Sequence, residues 1–379
     1  MSAPVEIVPV QTKSQWRDFH HLPFGIYRGD PNWIAPLLLE RKFHFQAAHN
    51  PYFKHARAAF FLAYRDGRPV GRITAQVDRL VQERYRDGTG HFGFIEGIDD
   101  AEVFGALLKA AEDWLRAEGM KRAVGPISFS LWDQPGLLVK GFDTPPSVMM
   151  NHHWPYYEGR ITAQGYQKAE DLIAYWYGPD APMEMMNKLV ERGLKNGVTI
   201  RNIRMDKAHF ESEVALLLDI INDAWSDNWG FVPMTKAEID DLAGILKVLL
   251  RTGDVAIAEY QGKAQAFAAI FPNLNEAIRD MNGRLFPFNW IKLLWRMKVR
   301  HTRTARMPMM GVRKEMQNSS LGAALALAVI RSTRNFNVAH GTADAELSWI
   351  LARNTRVRHV IEMVGGVPYK TYRLFEKPL

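Results

Sequence analysis

The chain has 379 residues, 47% of them hydrophobic, enough for two buried cores, and a formal net charge of +7. It has no cysteine, which excludes disulfides, thiolate nucleophiles and cysteine-based metal sites, and its twelve histidines show no metal-ligand spacing, so no metal is expected. No apolar run approaches the ~18 residues of a membrane span and the first residues lack a signal-peptide pattern, so a cytoplasmic protein is expected, with anionic partners such as a diphosphate, anionic lipid or nucleic acid suiting its charge.

In chain order, Ala58–Arg65 and Val70–Val77 read as a hairpin about Asp66-Gly67. His91–Glu96 is the next strand. Ala101–Glu118 is an amphipathic helix with Phe104, Leu107, Leu108, Ala111, Trp114 and Leu115 on one stripe. Between strand and helix, Asp99 and Asp100 place two carboxylates at a helix N-terminus, where they favour the helix and repel a bound anion. The irregular stretch Trp132–Tyr157, rich in aromatics, Met and Pro, either packs in a core or lines a ligand cavity. A Pro/Gly break at Gly178–Pro182 divides the chain into expected domains 1–178 and 183–379.

The second half opens with helices over Glu211–Ala224 and Thr235–Leu250, the latter with a capping box at Thr235 and Glu238. The loop joining them carries Asp223, Trp225, Asp227, Asn228 and Trp229. Acids beside tryptophans suit an amine with an apolar body, and they also suit an ordinary capped loop. Asp254–Tyr260 and Ala264–Phe271 form a hairpin turning at Gly262. The insertion 273–306 interleaves Phe286, Phe288, Trp290, Leu293, Leu294 and Trp295 with Arg284, Lys292, Arg296, Lys298, Arg300, Arg303 and Arg306. That pattern fits a segment lying on anionic lipid, or a cover over a lipid chain; nucleic acid ranks lower because no nucleic-acid fold is visible.

An apolar strand then ends at Gly311, Val312 and Arg313. The small-residue loop Gln317, Asn318, Ser319, Ser320, Leu321, Gly322 follows and opens an Ala/Leu-rich helix running to about Arg334. Backbone N–H groups at the positive end of such a helix can hold a pyrophosphate, although many ordinary strand-to-helix turns look alike. The strand Thr342–Trp349 puts Asp344, Glu346 and Ser348 on one face. Polar residues there imply a cavity or polar partners. Glu346 is the first candidate for a general base, the alternative being an ion pair with Arg353 or Arg356. A helix over Ile350–Val364, a turn at Gly365-Gly366 and a last strand Tyr369–Phe375 complete the chain.

Over residues 198–379 this order, with Gln317-x-x-Ser320-x-Gly322, resembles the GNAT acyltransferases and their Q/R-x-x-G-x-G/A pyrophosphate loop, Ser320 replacing the first Gly. The N-terminal half resembles a worn second copy whose acidic loop excludes CoA. The expected fold is therefore α/β (α+β), with tandem GNAT-like domains, each a mixed twisted sheet flanked by helices. The blocks Asn222–Pro233, Asn282–Arg296, Glu346–Asn354 and Gly366–Leu379 resemble a bacterial double-GNAT family that the bacterial ceramide synthases also resemble. The resemblance implies an acyl-CoA donor, a long-chain amine acceptor such as a sphingoid base, and direct transfer by a cytoplasmic enzyme that can work at the inner face of a membrane. It places Asn354 near the CoA arm. The loop residues Asp223 to Trp229, Ser348, Trp349, Phe286 and Trp290 fall on the substrate side, with Asp344 or Asp223 as reserve bases. Many GNAT enzymes protonate the departing thiolate with a Tyr where Ile361 stands here, leaving Tyr369 or Tyr372 as the acid, or an unassisted thiolate. An amino-acid or peptidyl amine acceptor, and a non-catalytic acyl-CoA-binding module, stay open as alternatives.

Overall fold

The computed structural model describes residues 3–379, which divide into two compact units. Unit 1 holds residues up to Leu172 together with Ile278–Asn289 and Lys370–Leu379; unit 2 holds Ile173–Ala277 and Trp290–Tyr369. The segment 278–289 and the last ten residues thus lie elsewhere than a single cut near Gly178–Pro182 would put them.

In unit 1 the elements run β1 (Glu6–Pro9), α1 (Lys13–Ile26), α2 (Leu38–His44), β2 (Ala56–Arg65), β3 (Arg68–Asp78), α3 (Arg79–Tyr85), β4 (Thr89–Gly97), α4 (Ala101–Ala117), β5 (Arg122–Gly125), β6 (Ile127–Ser128), β7 (Gln134–Pro135), β8 (Leu137–Lys140), α5 (Tyr156–Thr162) and the first half of β9 (Gln167–Tyr177). The antiparallel run β1-β2-β3-β4 is followed by β5, parallel to β4, and then by β15 (Val367–Pro378), antiparallel to β5 and β8. Helix α4 forms because its stripe of Phe104, Leu107, Leu108, Ala111 and Leu115 is buried on the sheet, each large side chain contributing about 1.5–3 kcal/mol. Asp100 caps it, accepting from Glu102 N at 2.8 Å and Val103 N at 3.2 Å, and is held by Arg65 at 2.6 Å. The Trp132–Tyr157 stretch is mostly buried or half-buried. Tyr157 is fully buried and donates to Glu96 at 2.7 Å, and Trp154 Nε1 donates to Ile26 O at 3.1 Å.

Unit 2 continues with the end of β9, α6 (Glu184–Lys195), β10 (Val198–Asn202), α7 (Phe210–Trp225), α8 (Lys236–Leu249), β11 (Val255–Tyr260), β12 (Lys263–Pro272) and α9 (Leu274–Ile278). It resumes with α10 (Asn289–Trp295), β13 (Thr304–Val312), α11 (Lys314–Gln317), α12 (Ser320–Ala339), β14 (Asp344–Leu351) and α13 (Thr355–Met363). The strand order is β9-β14-β13-β12-β11-β10, antiparallel from β10 to β13 and parallel between β13 and β14. Gln261 and Gly262, at φ 52° and 75°, make the two-residue turn of the β11–β12 hairpin. Thr235 and Glu238 form the expected box at α8. Alanines along α12 let it lie close on the sheet, and its Leu325, Leu327, Val329 and Ile330 fill the core with Met307 and Leu347. Two boundaries differ from expectation. Ile350 and Leu351 stay in strand β14, so the last helix starts only at Thr355, with Asn354 as its cap. And β13 begins at Thr304, so Arg306 sits in a strand and not in the basic insertion.

Candidate active site

The site is built where β13 and β14 part. Their parallel pairing runs from Thr304 opposite Asp344 to Met307 opposite Leu347 and stops there. The next residue, Pro308, has no N–H to continue a ladder, and the register shift on the β12 side falls at the same place, between Met309 and Arg306. Beyond it the strands diverge around a cavity lined by Trp225, Asn228, Met310, Ile330, Trp349 and Ile361, with Ser348 and Asn354 at its border.

The edge of β13 facing this gap can be read from its hydrogen bonds. Arg313 N donates to Gln265 O at 2.8 Å, so Gly311 and Met309, of the same parity, face β12. Met310 and Val312 therefore turn their peptide groups the other way. Accordingly Met310 O accepts from Trp225 Nε1 at 3.0 Å and Val312 O from Gln317 Nε2 at 2.8 Å. Their N–H groups turn the same way, away from β12, and Met310 lines the gap. Gly311 itself is buried beneath α7, where a Cβ would lie 3.3 Å from Ala224 and Ile220.

The loop that follows is self-supporting. Arg313 donates to Ala264 O at 2.9 Å and pairs with Asp219 at 2.5 Å; Gln317 also reaches Ala224 O at 3.2 Å. Ser319 caps α12, accepting from Gly322 N at 2.9 Å and donating to Met316 O at 2.8 Å. Gly322 is required, because a Cβ there would stand 2.0 Å from Met316 O. Ser320 and Leu321 give α12 first-turn N–H groups that the helix does not use. The basic side chains at the strand exit are matched by acids: Lys314 pairs with Asp227 at 2.5 Å and Lys263 with Glu315 at 2.9 Å, the latter hydrogen bond holding the Glu315 carboxyl below its ordinary range. Arg356, exposed on α13, donates to Asn318 Oδ1 and brings positive charge to the loop. A small-residue turn, an open helix end and an arginine beside them fit a diphosphate.

Glu346 is completely buried. Ser348 Oγ donates to its Oε1 and Tyr369 OH to its Oε2, while Arg306, opposite in register on β13 and 2% exposed, has Nε 3.7 Å from Oε1. Arg306 Nε also donates to Ser348 Oγ at 2.8 Å and Nη2 to Ser348 O at 3.3 Å. The ion-pair partner of Glu346 is thus Arg306, not Arg353 or Arg356. The residue was missed because it sits among the insertion's basic residues in sequence; its position two before an apolar Pro-Met-Met run was the available signal. Tyr369 packs edge-on against Trp176, with ring centroids 5.4 Å apart.

The other candidates disperse. Asp344 borders a separate small cavity with Tyr177 and Arg334. Tyr372 belongs to unit 1, buried opposite Leu138. Asp223 accepts from Lys314 N at 2.7 Å, so it and Asp227 brace the loop. Trp225 and Trp349 flank the gap with ring centroids 6.0 Å apart, and Trp229 is half-buried in the α7–α8 connection. Asn354 Oδ1 accepts from Val357 N at 3.3 Å, and Ile361 is a core residue, 3% exposed. Phe286 belongs to unit 1 and Trp290 to unit 2; both are exposed. Among the described residues no helix is long and apolar enough to cross a membrane.

No profile of a known protein family matches the chain. Its sequence is 45% identical over 381 residues to a bacterial ceramide synthase of Caulobacter vibrioides, covering all of this chain and 98% of that one. It is 44% identical over 368 residues to the protein YghO of Escherichia coli, covering 97% and 94%. In fold it is similar to a tandem GNAT protein from the clavulanic acid biosynthesis pathway, with TM-score 0.56 at 11% identity over 99% of this chain and 98% of that one. The chain is an acyltransferase with the double-GNAT fold, and it belongs to the bacterial ceramide synthase family.

Proposed function

We propose that this acyltransferase moves a long-chain acyl group from acyl-CoA onto the amine of a sphingoid base by direct transfer within unit 2. The observation that carries the reading is the gap between β13 and β14, walled mainly by Met307, Met310, Ile330, Leu347, Val357 and Ile361 and flanked by two tryptophans. Such walls suit alkyl chains, and the name of the Caulobacter relative supports a sphingoid acceptor.

Bound acyl-CoA supplies an activated thioester carbonyl. The chain's own part is to bind, orient and move a proton. Ser319–Gly322, the α12 N-terminus and Arg356 hold the diphosphate. The N–H groups of Met310 and Val312 line the reactive arm, an oxyanion-stabilising role that needs no special side chain. Glu346 receives the proton of the amine. Holding both reactants in one gap supplies the proximity term.

The exposed segment of unit 2 supports delivery from an anionic membrane surface. Trp290, Ile291, Leu294, Trp295 and Val299 are 42–65% exposed. Beside them α8 buries none of its side chains and exposes Ile245 and Val248, and Lys298 Nζ donates to Val248 O. Lys247, Lys292, Lys298 and Arg300 add positive charge.

The test is mass spectrometry of products formed by purified protein from long-chain acyl-CoA offered a sphingoid base, an amino acid and a dipeptide together. N-acyl sphingoid base is the expected product. Exclusive acylation of the amino acid or dipeptide overturns the lipid reading, and CoA release with no amide product overturns transfer to an amine.

A further inference from the structure

Glu346 cannot meet an amine directly. It has no exposed surface, and both carboxylate oxygens already accept hydroxyl hydrogens, Oε1 from Ser348 and Oε2 from Tyr369. The hydrogen-bonded routes by which a proton can reach the carboxylate are these two hydroxyls. Ser348 borders the β13–β14 gap, and Tyr369 is not among the residues around that cavity. The hydroxyl of Ser348 has one hydrogen and two lone pairs. The hydrogen goes to Glu346, one lone pair takes Arg306 Nε at 2.8 Å, and one lone pair is left for a donor from the gap.

We infer that Ser348 relays the amine's proton to Glu346, and that Arg306 is the positioning residue that fixes the relay's direction. This rests on the reading of the gap as the place where amine and thioester meet. An ammonium N–H bond breaks as a proton passes to Ser348 Oγ, while the Ser348 O–H bond breaks and its proton forms a bond to Glu346 Oε1. The balance is one proton from nitrogen to carboxylate, a neutral amine ready to attack, and Ser348 unchanged. Arg306 contributes by donation alone: its Nε bond occupies the lone pair that would let the hydroxyl turn, and its charge sits 3.7 Å from the carboxylate that must start ionised.

The experiment compares full-length wild type, Ser348→Ala, Ser348→Thr and Tyr369→Phe. Turnover of a sphingoid base is followed across pH, with acyl-CoA affinity measured by calorimetry in the absence of amine. Ser348→Ala is expected to lower kcat about 10²-fold near neutral pH. The defect should shrink as pH rises and free amine becomes abundant, and acyl-CoA affinity should stay at the wild-type value. Ser348→Thr, which keeps the hydroxyl, should restore most of the rate. Should Ser348→Ala not fold, Ser348→Cys replaces it. Its thiol, with an ordinary pKa of ~8.5, should move the acidic limb of the pH profile. An unchanged profile for either variant overturns the relay, as does a pH-dependent loss carried by Tyr369→Phe and not by Ser348→Ala. A wild type that binds acyl-CoA yet acylates no amine removes the underlying reading, an outcome recognisable without any variant.

Discussion

At the residue scale, Glu346 and Arg306 are a buried pair whose members depend on each other. Removing one partner of such a pair costs about 3–5 kcal/mol because the other charge stays buried. Arg306→Met should therefore destabilise unit 2 by an amount of that order in denaturant titration. A shift below about 1 kcal/mol would show the pair to be dispensable. Glu346→Gln is nearly isosteric and keeps an acceptor for one hydroxyl, but it leaves the Arg306 charge unpaired, so it too should lose stability, and its effect on chemistry is read on the folded protein. Turnover is expected to drop ~10²–10⁴-fold while acyl-CoA affinity holds, and unaltered turnover across pH would place the base elsewhere. The strand period of two was enough to put Glu346 and Ser348 on one face. It could not supply Arg306, which meets them only because two parallel strands forty residues apart in sequence fall into register. Nor could it show that Asp344, on the same face, opens to another cavity.

At the element scale, the loop before α12 is where binding and stability make opposite demands. Ser320 is the first residue of the helix and is exposed. A carboxylate there favours the helix dipole by about 0.3–1 kcal/mol but stands where a diphosphate would sit. Ser320→Glu should accordingly keep or raise the melting temperature and abolish acyl-CoA binding. Wild-type affinity in this variant would mean the loop is not the cradle. The loop's place, between an apolar strand and an apolar helix, was legible from its small residues, while a pyrophosphate cradle and an ordinary turn stayed open as readings. The work done by Arg313 and Gln317 was not legible: their side chains turn back onto Ala264, Asp219, Ala224 and Val312. The apolar, basic segment was likewise visible as a pattern, but the hydrogen bond from Lys298 to Val248 O at the end of α8 was not. Trp290→Ala with Trp295→Ala should weaken sedimentation with anionic vesicles and lower activity on long-chain amines, and added salt should weaken the wild type in the same way. A folded double variant that sediments and acylates normally would exclude a membrane role.

At the scale of the whole molecule, two related folds treat the end of their parallel seam differently. In unit 1 the parallel pairing of β4 with β5 also stops early, at His91 opposite Val124. There the chain fills its own gap. Gln76 Nε2 donates to Ile127 O at 2.5 Å, Phe94 N to Ser128 Oγ at 3.3 Å, and a Cβ on Gly93 would stand 2.2 Å from Ile127 O. The sequence pointed to the same asymmetry for a different reason, the acids Asp99 and Asp100, which are engaged with Arg160 and Arg65. Calorimetry should give one acyl-CoA per chain. Gly322→Ala, which forces a Cβ onto Met316 O, should bring that number to zero; a second site surviving in the variant would show that unit 1 binds as well. The tandem fold itself was legible from the order of elements. The exchange of 278–289 and 370–379 into unit 1 was not, since no local pattern marks where a strand changes company.

Pro308 gives the gap in unit 2 a property that a flexible cleft lacks. A seam that stops beside a peptide nitrogen without a hydrogen is open there before any substrate arrives. On the proposed reading, entry of the acyl chain breaks no strand pairing, so none of its binding energy is diverted into prying the sheet apart. The same residue caps how far the sheet can stabilise itself. Pro308→Val restores a donor beside Leu347, and the expected result is a protein that melts later and binds acyl-CoA more weakly, a sheet improved by one rung and an enzyme diminished by it.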